Sequence, residues 1–551
     1  MKMLKTRKLM NAGLALGLLL AWSLVAHAAT STAEQAPGRT MAQQATRDKQ
    51  LWITADHSKH EVLQQTFTSG PEVTRACLSC HSEAAKQFHK TIHWTWLDPN
   101  VAPEERVGKA GLSINNFCIA LHGSYPRCTS CHAGYGWKDM SFDFSDQTKV
   151  DCLVCHEQTG TYKKFPAGAG NPAPKTMVFK GNNKTYHPPE WNKVAQSVGR
   201  PTRKNCGTCH FFGGGGDGVK HGDMDSSLMK PSKELDVHMG IDGKNFDCVR
   251  CHTTDLHRIA GRTYATPAAT ERKSLVEDDT IAKITCESCH TDTPHKPGSK
   301  PNDHTDKVAC QSCHIPEFAR VNPTKMWWDW SRAGQKKDGK PFKKKGELGK
   351  PVYFTLKGDM AWAKNVKPQY YWYNGSITAI TANDMVDPGQ PVQINMPVGS
   401  QDDPSSRISP FKVHRGKQPY DKVNKTLLIP HLFGKKGSGA YWADWDWKQA
   451  LESGSSKAGT KFSGEFDFVE TAYVFPITHM VAPKEKALGC TECHSDTDSR
   501  LANLKGFYMP ARDTFKVIDF AGWGVVLACL AGVLIHALGR IFTKGNGRKE
   551  N

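Results

Sequence analysis

The sequence predicts a mainly α-helical chain with extensive coil, minor β content and one C-terminal transmembrane helix. Two observations carry this expectation. Sixteen of the 18 cysteines fall into eight Cys-x-x-Cys pairs, each followed at once by histidine. A second apolar segment, Phe520 to Gly539, runs for twenty residues without a charge, long enough to cross a bilayer.

The eight pairs are Cys77/Cys80 with His81, Cys128/Cys131 with His132, Cys152/Cys155 with His156, Cys206/Cys209 with His210, Cys248/Cys251 with His252, Cys286/Cys289 with His290, Cys310/Cys313 with His314, and Cys490/Cys493 with His494. Disulfide frameworks and zinc sites also use Cys-x-x-Cys, but neither requires histidine next in line. With 24 histidines in 551 residues, eight of eight is not chance. Two thioethers to haem vinyls and an adjacent imidazole for the iron need this compact spacing. The cofactors expected are eight covalently bound haem c groups, each with its iron.

Seven motifs occupy the 238 residues from Cys77 to His314, too densely for each to own a conventional apolar core. The haems themselves must then form the core. The expectation is a multihaem cytochrome c fold organised around stacked haems, with each motif at a helix start or tight turn.

The N-terminus reads as a secretory signal over residues 1–28. Lys2, Lys5, Arg7 and Lys8 precede the apolar run Leu14 to Val25, and Ala26-His27-Ala28 offers a small-residue cleavage site. An oxidising compartment follows. Arg540, Lys544, Arg548 and Lys549 beyond the apolar segment form the positive flank of a cytoplasmic end. The chain is therefore expected on the periplasmic side of a bacterial inner membrane, anchored by its C-terminal helix. A buried core helix is the alternative for this segment. His536 within it is either interfacial or a ligand for a haem b. The formal charge of +18 is offset by two propionates on each haem, and nothing else in the sequence supports nucleic-acid binding.

Seven segments are expected along the chain. A polar arm covers 29–70, and a seven-haem region with the active-site haem covers 71–320. A haem-free segment over 321–489, rich in Trp327, Trp328, Trp330, Trp362, Trp372, Trp442, Trp445 and Trp447, packs on the haem core with some strand content at Val352 to Leu356 and Tyr370 to Tyr373. The eighth haem and a linker occupy 490–512, the membrane helix 517–540, and a basic tail 541–551. The lysine run Lys336, Lys337, Lys340, Lys343, Lys344 and Lys345 reads as a solvated loop, or as a surface that steers anions or an acidic redox partner.

Beyond the motif histidines, fourteen others lie in the exported part, enough for a second axial ligand on every iron. Candidates near the motifs are His89 or His93, His238, His257, His295, His304, His414 and His479. Two features depart from simple wiring. Asn115-Asn116-Phe117-Cys118 holds an extra cysteine ten residues before a haem pair. Phe211 to Asp223 contains four consecutive glycines, Asp217 and Lys220, and lets backbone approach a flat macrocycle.

Together these stretches resemble the octahaem tetrathionate reductases over most of the exported chain. The resemblance rests on Asn116-Phe117-Cys118-Ile119, on Arg127-Cys128-Thr129-Ser130-Cys131-His132 with Gly134-Tyr135-Gly136-Trp137, on Asp151-Cys152-Leu153-Val154-Cys155-His156, and on Lys220-His221-Gly222-Asp223. It implies an active haem on Cys128 and Cys131 whose iron takes Lys220, with Asp217 orienting that lysine or relaying protons and Cys118 lining the pocket. Whether His132 also ligates is left open by the motif. The implied reaction is cleavage of the tetrathionate S–S bond to two thiosulfates, with a small inorganic anion as substrate. A quinol-oxidising membrane subunit or a periplasmic donor would supply electrons. The C-terminal anchor departs from the soluble form of that family, and reversed electron flow stays open. Nitrite, hydroxylamine and sulfite are alternative substrates, though Cys-x-x-Cys-Lys and a widely spaced cysteine pair are both absent. A non-catalytic electron conduit is the reading from another class.

Overall fold

The computed structural model describes residues 55–98, 101–261 and 284–543. The signal segment, the first part of the polar arm and the basic tail beyond residue 543 lie outside the described residues. Each attachment motif lies on a short helix or turn. Cys206 and Cys209 sit within Arg203–His210; Cys152 and Cys286 cap Leu153–His156 and Glu287–His290; Cys248 and Cys310 open Cys248–Cys251 and Cys310–His314; Cys490 opens the 3-10 turn Cys490–Glu492. Helices this short do not stand alone in water, so local order comes from what they pack on.

Two motifs show both forms of the expected placement, a tight turn and a helix start. At the first, Cys77 lies near the end of the helix Gly70–Leu78, not its start. Cys80 falls in the turn beyond it, exposed, its backbone N–H donating to the Cys77 carbonyl at 3.2 Å. At the sixth, Cys289 lies inside Glu287–His290 and is only half-buried, its N–H donating to the Cys286 carbonyl at 3.1 Å. The physical reason is shared. What the attachment chemistry fixes is one tight turn bringing the two sulfurs to the same side, and that i to i+3 bond closes it whether a helix begins, ends or stands alone there. A sulfur that bonds a porphyrin edge needs no protein side chains packed over it, and Cys80, Cys251 and Cys490 are exposed. No motif cysteine forms a disulfide.

The expectation of minor β content also needs correcting. The described chain is 28% helix and 19% strand, and the strands gather in an eight-stranded sheet within the segment that has no attachment motif. Its order is Val392–Gln393, Phe466–Pro476, Arg407–Asp421, Thr324–Asp329, Gly358–Ala363, Pro351–Phe354, Lys343–Lys345, with Gln369–Tyr373 also paired to Arg407–Asp421. The physical reason is that a segment without haems must close its own core. Trp328, Trp330, Tyr441, Ile429 and Phe475 supply one. The lysine run enters the sheet as its edge strand Lys343–Lys345, fully exposed, a position where charge blocks edge-to-edge pairing.

Two long strands position the site. Arg407–Asp421 and Phe466–Pro476 pair antiparallel from Phe411↔Pro476 to Asp421↔Phe466. Side chains alternate between the faces of a strand. Phe411, Val413, Ala472 and Val474 therefore form one apolar cluster with Ile377. Lys412, His414, Gln418, Thr471 and Phe475 project the other way, where Lys412 and Gln418 bond the loops carrying Lys220 and Cys118.

Residues Ile284–Asp306 form a separate compact unit. It carries the attachment helix Glu287–His290 and a 3-10 turn at Lys300–His304, in which Asn302 accepts from the His295 backbone N–H at 2.9 Å. The C-terminal helix spans Lys516–Thr543 and is apolar and long enough to cross a membrane.

Candidate functional site

His132 differs from the other attachment histidines. Its ring is fully buried in a cage of Trp137, Trp94, Trp96 and Phe142, at 4.8, 5.1, 5.4 and 5.6 Å between centroids. Nε2 bonds the Trp94 carbonyl at 2.8 Å, and Nδ1 has no partner. Burial drives its pKa down to about 3, so the ring is neutral. Lys164 fixes the backbone here by donating to the carbonyls of His132 and, at 3.3 Å, Gly134. Its charge is balanced by Asp151 at 3.0 Å, which also accepts 2.8 Å bonds from the Tyr135 and Tyr162 hydroxyls.

Elsewhere the exchange is reversed. Nδ1 of His156, His252 and His494 bonds the carbonyls of Gly199, Ala260 and Pro510 at 2.9, 2.8 and 3.0 Å. Nδ1 of His257, His295, His304 and His479 is likewise taken by Gln87, Asn302, Lys300 and Asp223. An acceptor on Nδ1 fixes the tautomer that offers Nε2 to a metal. Three ring pairs face each other across a gap: His57 and His81 at 6.3 Å, His93 and His210 at 6.1 Å, His252 and His479 at 6.2 Å. A metal–imidazole bond is roughly 2 Å long, so two rings on opposite sides of one iron have centroids about 6 Å apart. These pairs fit a haem iron between them. His81 follows Cys80 directly, so the first pair would hold the haem attached at Cys77 and Cys80. His257 lies near enough for its protonation to be opposed by His156.

The expected ligands divide accordingly. His93, His257 and His479 come to attachment histidines, whereas His89 stacks on Trp94 at 4.5 Å. His414 belongs to the sheet: it is fully buried, its ring contact is Phe117 at 5.7 Å, and neither ring nitrogen has a partner. His57, in the polar arm, was not among the candidates, because nothing local marks it; only its long-range position opposite His81 does.

Lys220 follows the glycine run. Its backbone N–H donates to Gly213 O at 3.2 Å, and its stem lies so close to Gly213 that a β-carbon there would meet Lys220 Cδ at 3.3 Å. Gly214, at φ +76°, would place a β-carbon 2.9 Å from Val219 and 3.1 Å from the Phe117 ring. The glycines thus fit the loop against protein side chains and hold Lys220 over Phe475 at 5.6 Å. Burial, aided by the Lys109 charge, pulls the Lys220 ammonium down to about 8. Lys109, over Trp96 at 4.3 Å, also acts on Cys128 and Cys131, which places Lys220 and that attachment pair around the same cation. No motif surrounds Lys109 in the sequence, so only the fold reveals it. The Asp217 carboxylate accepts from the Ser226 backbone N–H at 3.0 Å and hydroxyl at 2.5 Å, closing the glycine loop that carries Lys220. Cys118 is half-buried against the apolar core, and its charge acts on Cys128.

A fold of short motif-bearing helices around facing imidazoles defines a multihaem c-type cytochrome. The comparisons agree. Residues 325–497 match the family described as cytochrome c bacterial, and residues 76–157 that described as cytochrome c554 and c-prime. An uncharacterized protein of Archaeoglobus fulgidus is 23% identical over 242 residues, covering 37% of this chain and 80% of that one. The crystal structure of octaheme cytochrome c from Shewanella oneidensis aligns with a TM-score of 0.69 at 45% identity, over 81% of this chain and 95% of the other. The chain belongs to the family of that octaheme cytochrome c, with covalently bound haem c as its cofactor.

Proposed function

We propose that this protein is a membrane-anchored octahaem reductase of the periplasmic face that cleaves the S–S bond of tetrathionate, with its chemistry at the haem held by Cys128 and Cys131. The observation that carries the reading is the posture of His132, whose Nε2 is spent on the Trp94 carbonyl, while Lys220 and the same attachment pair both feel the charge of Lys109. Seven attachment histidines would serve as ordinary axial ligands. His57, His93, His257 and His479 would oppose His81, His210, His156 and His252. His290, His314 and His494 are matched in number by His238, His295 and His304. Lys220 would be the protein ligand at the eighth.

Haem supplies electrons one at a time and an iron face for substrate. What the chain supplies is electrostatic. Lys220 must lose a proton to bind a metal, and a pKa of about 8 makes this inexpensive near neutrality. Lys109 places further positive charge near Cys128 and Lys220, which favours an anion over a neutral substrate. Electrons would come from a quinol-oxidising membrane subunit or a periplasmic donor.

The test is to reduce the purified protein and measure its re-oxidation by tetrathionate, nitrite, hydroxylamine and sulfite side by side. Tetrathionate should be fastest, and Lys220→Leu should abolish turnover and change the spectrum of one haem. Negligible turnover of all four would leave an electron conduit as the function. Only bis-histidine iron, with no spectral change in Lys220→Leu, would remove lysine ligation.

A further inference from the structure

Lys412 stands in the middle of the long strand Arg407–Asp421, and its side chain is 0% exposed. Its Nζ donates to the Val219 carbonyl at 3.1 Å, to the Lys220 carbonyl at 2.9 Å and to the Thr324 hydroxyl at 2.7 Å. Burial lowers its pKa to about 7, and the charge of Asp223 opposes that shift. Three acceptors around one nitrogen call for three N–H groups, which is the ammonium form. A buried cation is costly unless hydrogen bonds satisfy it, and here two of the three go to main-chain carbonyls of the loop that carries Lys220.

The rest of that loop is tied to the same part of the fold. Thr324 opens the neighbouring strand Thr324–Asp329, and its hydroxyl donates onward to the Gly218 carbonyl at 2.8 Å. The Lys325 backbone N–H reaches the same carbonyl at 2.9 Å, and the Ala319 N–H donates to the Gly222 carbonyl at 2.7 Å. Gly218, at φ +71°, lies so close to this strand that a β-carbon there would meet the Pro323 carbonyl oxygen at 2.5 Å. From Gly218 to Gly222 the backbone is therefore held against the sheet, and at Val219 and Lys220 the donor is the Lys412 side chain. Phe475, on the paired strand Phe466–Pro476, underlies both amines: its ring centroid is 5.6 Å from Lys220 Nζ and 5.9 Å from Lys412 Nζ.

We propose that Lys412 is the positioning residue of the site: it fixes the main chain of Val219 and Lys220, and so the place from which the Lys220 amine is presented to the haem on Cys128 and Cys131. The inference rests on the lysine-ligated haem of the reading above. Lysine carries its amine on a flexible four-carbon stem, so a fixed root is the first condition for a fixed amine. Hydrogen bonds from an ionised donor are roughly twice as strong as neutral ones, which suits an ammonium to this task better than an amide or a hydroxyl. Lys412 acts through the Lys220 main chain, not on the reacting atoms.

The test compares the full-length holoprotein with Lys412→Met, Lys412→Gln and, as a control for lost stability, Val413→Ala. Val413 is 4% exposed and belongs to the apolar cluster on the opposite face of the same strand. The haem signal that Lys220→Leu alters, read by electron paramagnetic resonance, should change in Lys412→Met, change by less in Lys412→Gln, and match the wild type in Val413→Ala. The bis-histidine signals should stay constant in all three. A misplacement of about 1 Å can cost on the order of a hundredfold in rate, so kcat for tetrathionate in Lys412→Met should fall by roughly ten- to a hundredfold with KM unchanged. An unaltered Lys220-dependent signal in Lys412→Met holding all its haems, the same alteration in Val413→Ala, or loss of haem uptake in both Lys412 variants overturns the inference and leaves the reductase reading standing. If Lys220→Leu itself alters no haem, lysine ligation and this inference fall together. Absence of tetrathionate turnover in the wild type overturns the reductase reading, while the spectra still decide the role of Lys412.

Discussion

At the scale of single residues, the direction in which an imidazole spends its two nitrogens separates the haem sites. His156, His252 and His494 give Nδ1 to a carbonyl, whereas His132 gives Nε2 to Trp94 and sits inside an aromatic cage. Gly134 is part of that cage, since a β-carbon there would lie 2.8 Å from the His132 ring and from Trp94. Replacing His132 by Gln is therefore expected to leave the low-spin haem signals in electron paramagnetic resonance unchanged. His93→Met is expected to convert one low-spin haem, that on Cys206 and Cys209, into a new species. Haem stoichiometry should stay constant in both variants, because the thioethers are untouched. If His132→Gln instead removes a low-spin signal, His132 is a ligand and Lys220 is not the ligand that replaces it.

At the scale of elements, the sheet and the Cys118 turn depend on each other. Asn116→Leu would strip partners from the Gln418 amide and Thr471 hydroxyl while keeping volume, and each stranded buried group costs about 1–3 kcal/mol. A loss of about 2–4 kcal/mol in denaturant unfolding is expected, larger than for any exposed residue of the lysine edge strand. The neighbouring His122 adds a pH dependence. It is 1% exposed, neither ring nitrogen has a partner, and burial lowers its pKa to about 4 from an ordinary 6.5. Between those values the unfolded chain binds the proton and the folded one does not. Stability is thus full above pH 6.5 and falls as pH drops toward 4, by about 3 kcal/mol. His122→Leu should flatten that part of the stability–pH curve; an unchanged slope would show that other groups set it. These elements also mark the limit of what the sequence discloses. The attachment motifs are legible because covalent geometry confines five residues to one spacing. Where each motif falls on its helix is not, as Cys80 beyond a helix end and Cys289 inside one demonstrate. The sheet is hidden too, because Arg407–Asp421 is buried on both faces and loses the alternation that announces a strand. The histidine partners are not legible either, since His479 meets His252 from 227 residues away in the sequence. Lys220 was reachable through a family resemblance, but Lys109 carries no local pattern and comes near Cys128 and Lys220 only on folding.

At the scale of the whole molecule, the proposed membrane attachment rests on one apolar helix at the C-terminal end of the body. The helix Lys516–Thr543 is about 42 Å long at 1.5 Å per residue, more than the roughly 30 Å of a bilayer's hydrocarbon. Its side chains are exposed throughout, which in water would leave Trp523, Leu527, Leu534 and Ile541 unpaired with any apolar surface. The preceding linker is tied down independently: Arg512 donates to the carbonyls of Leu501, Leu504 and Phe507 and pairs with Asp513 at 2.6 Å. The apolar helix and the body therefore separate after Phe515, and the proposed anchoring can be tested there. A chain ending there is expected to leave the membrane fraction, keep its full haem complement and spectrum, and reduce tetrathionate at an undiminished rate with an artificial donor. The same chain should lose most of its turnover with a quinol in native membranes, because the anchor's contribution is the local concentration of donor and acceptor rather than any bond within the site. Fractionation, a haem assay and the two donor assays in parallel check this. Equal quinol-driven rates with and without the helix would mean that a diffusing carrier delivers the electrons and that the helix serves retention alone.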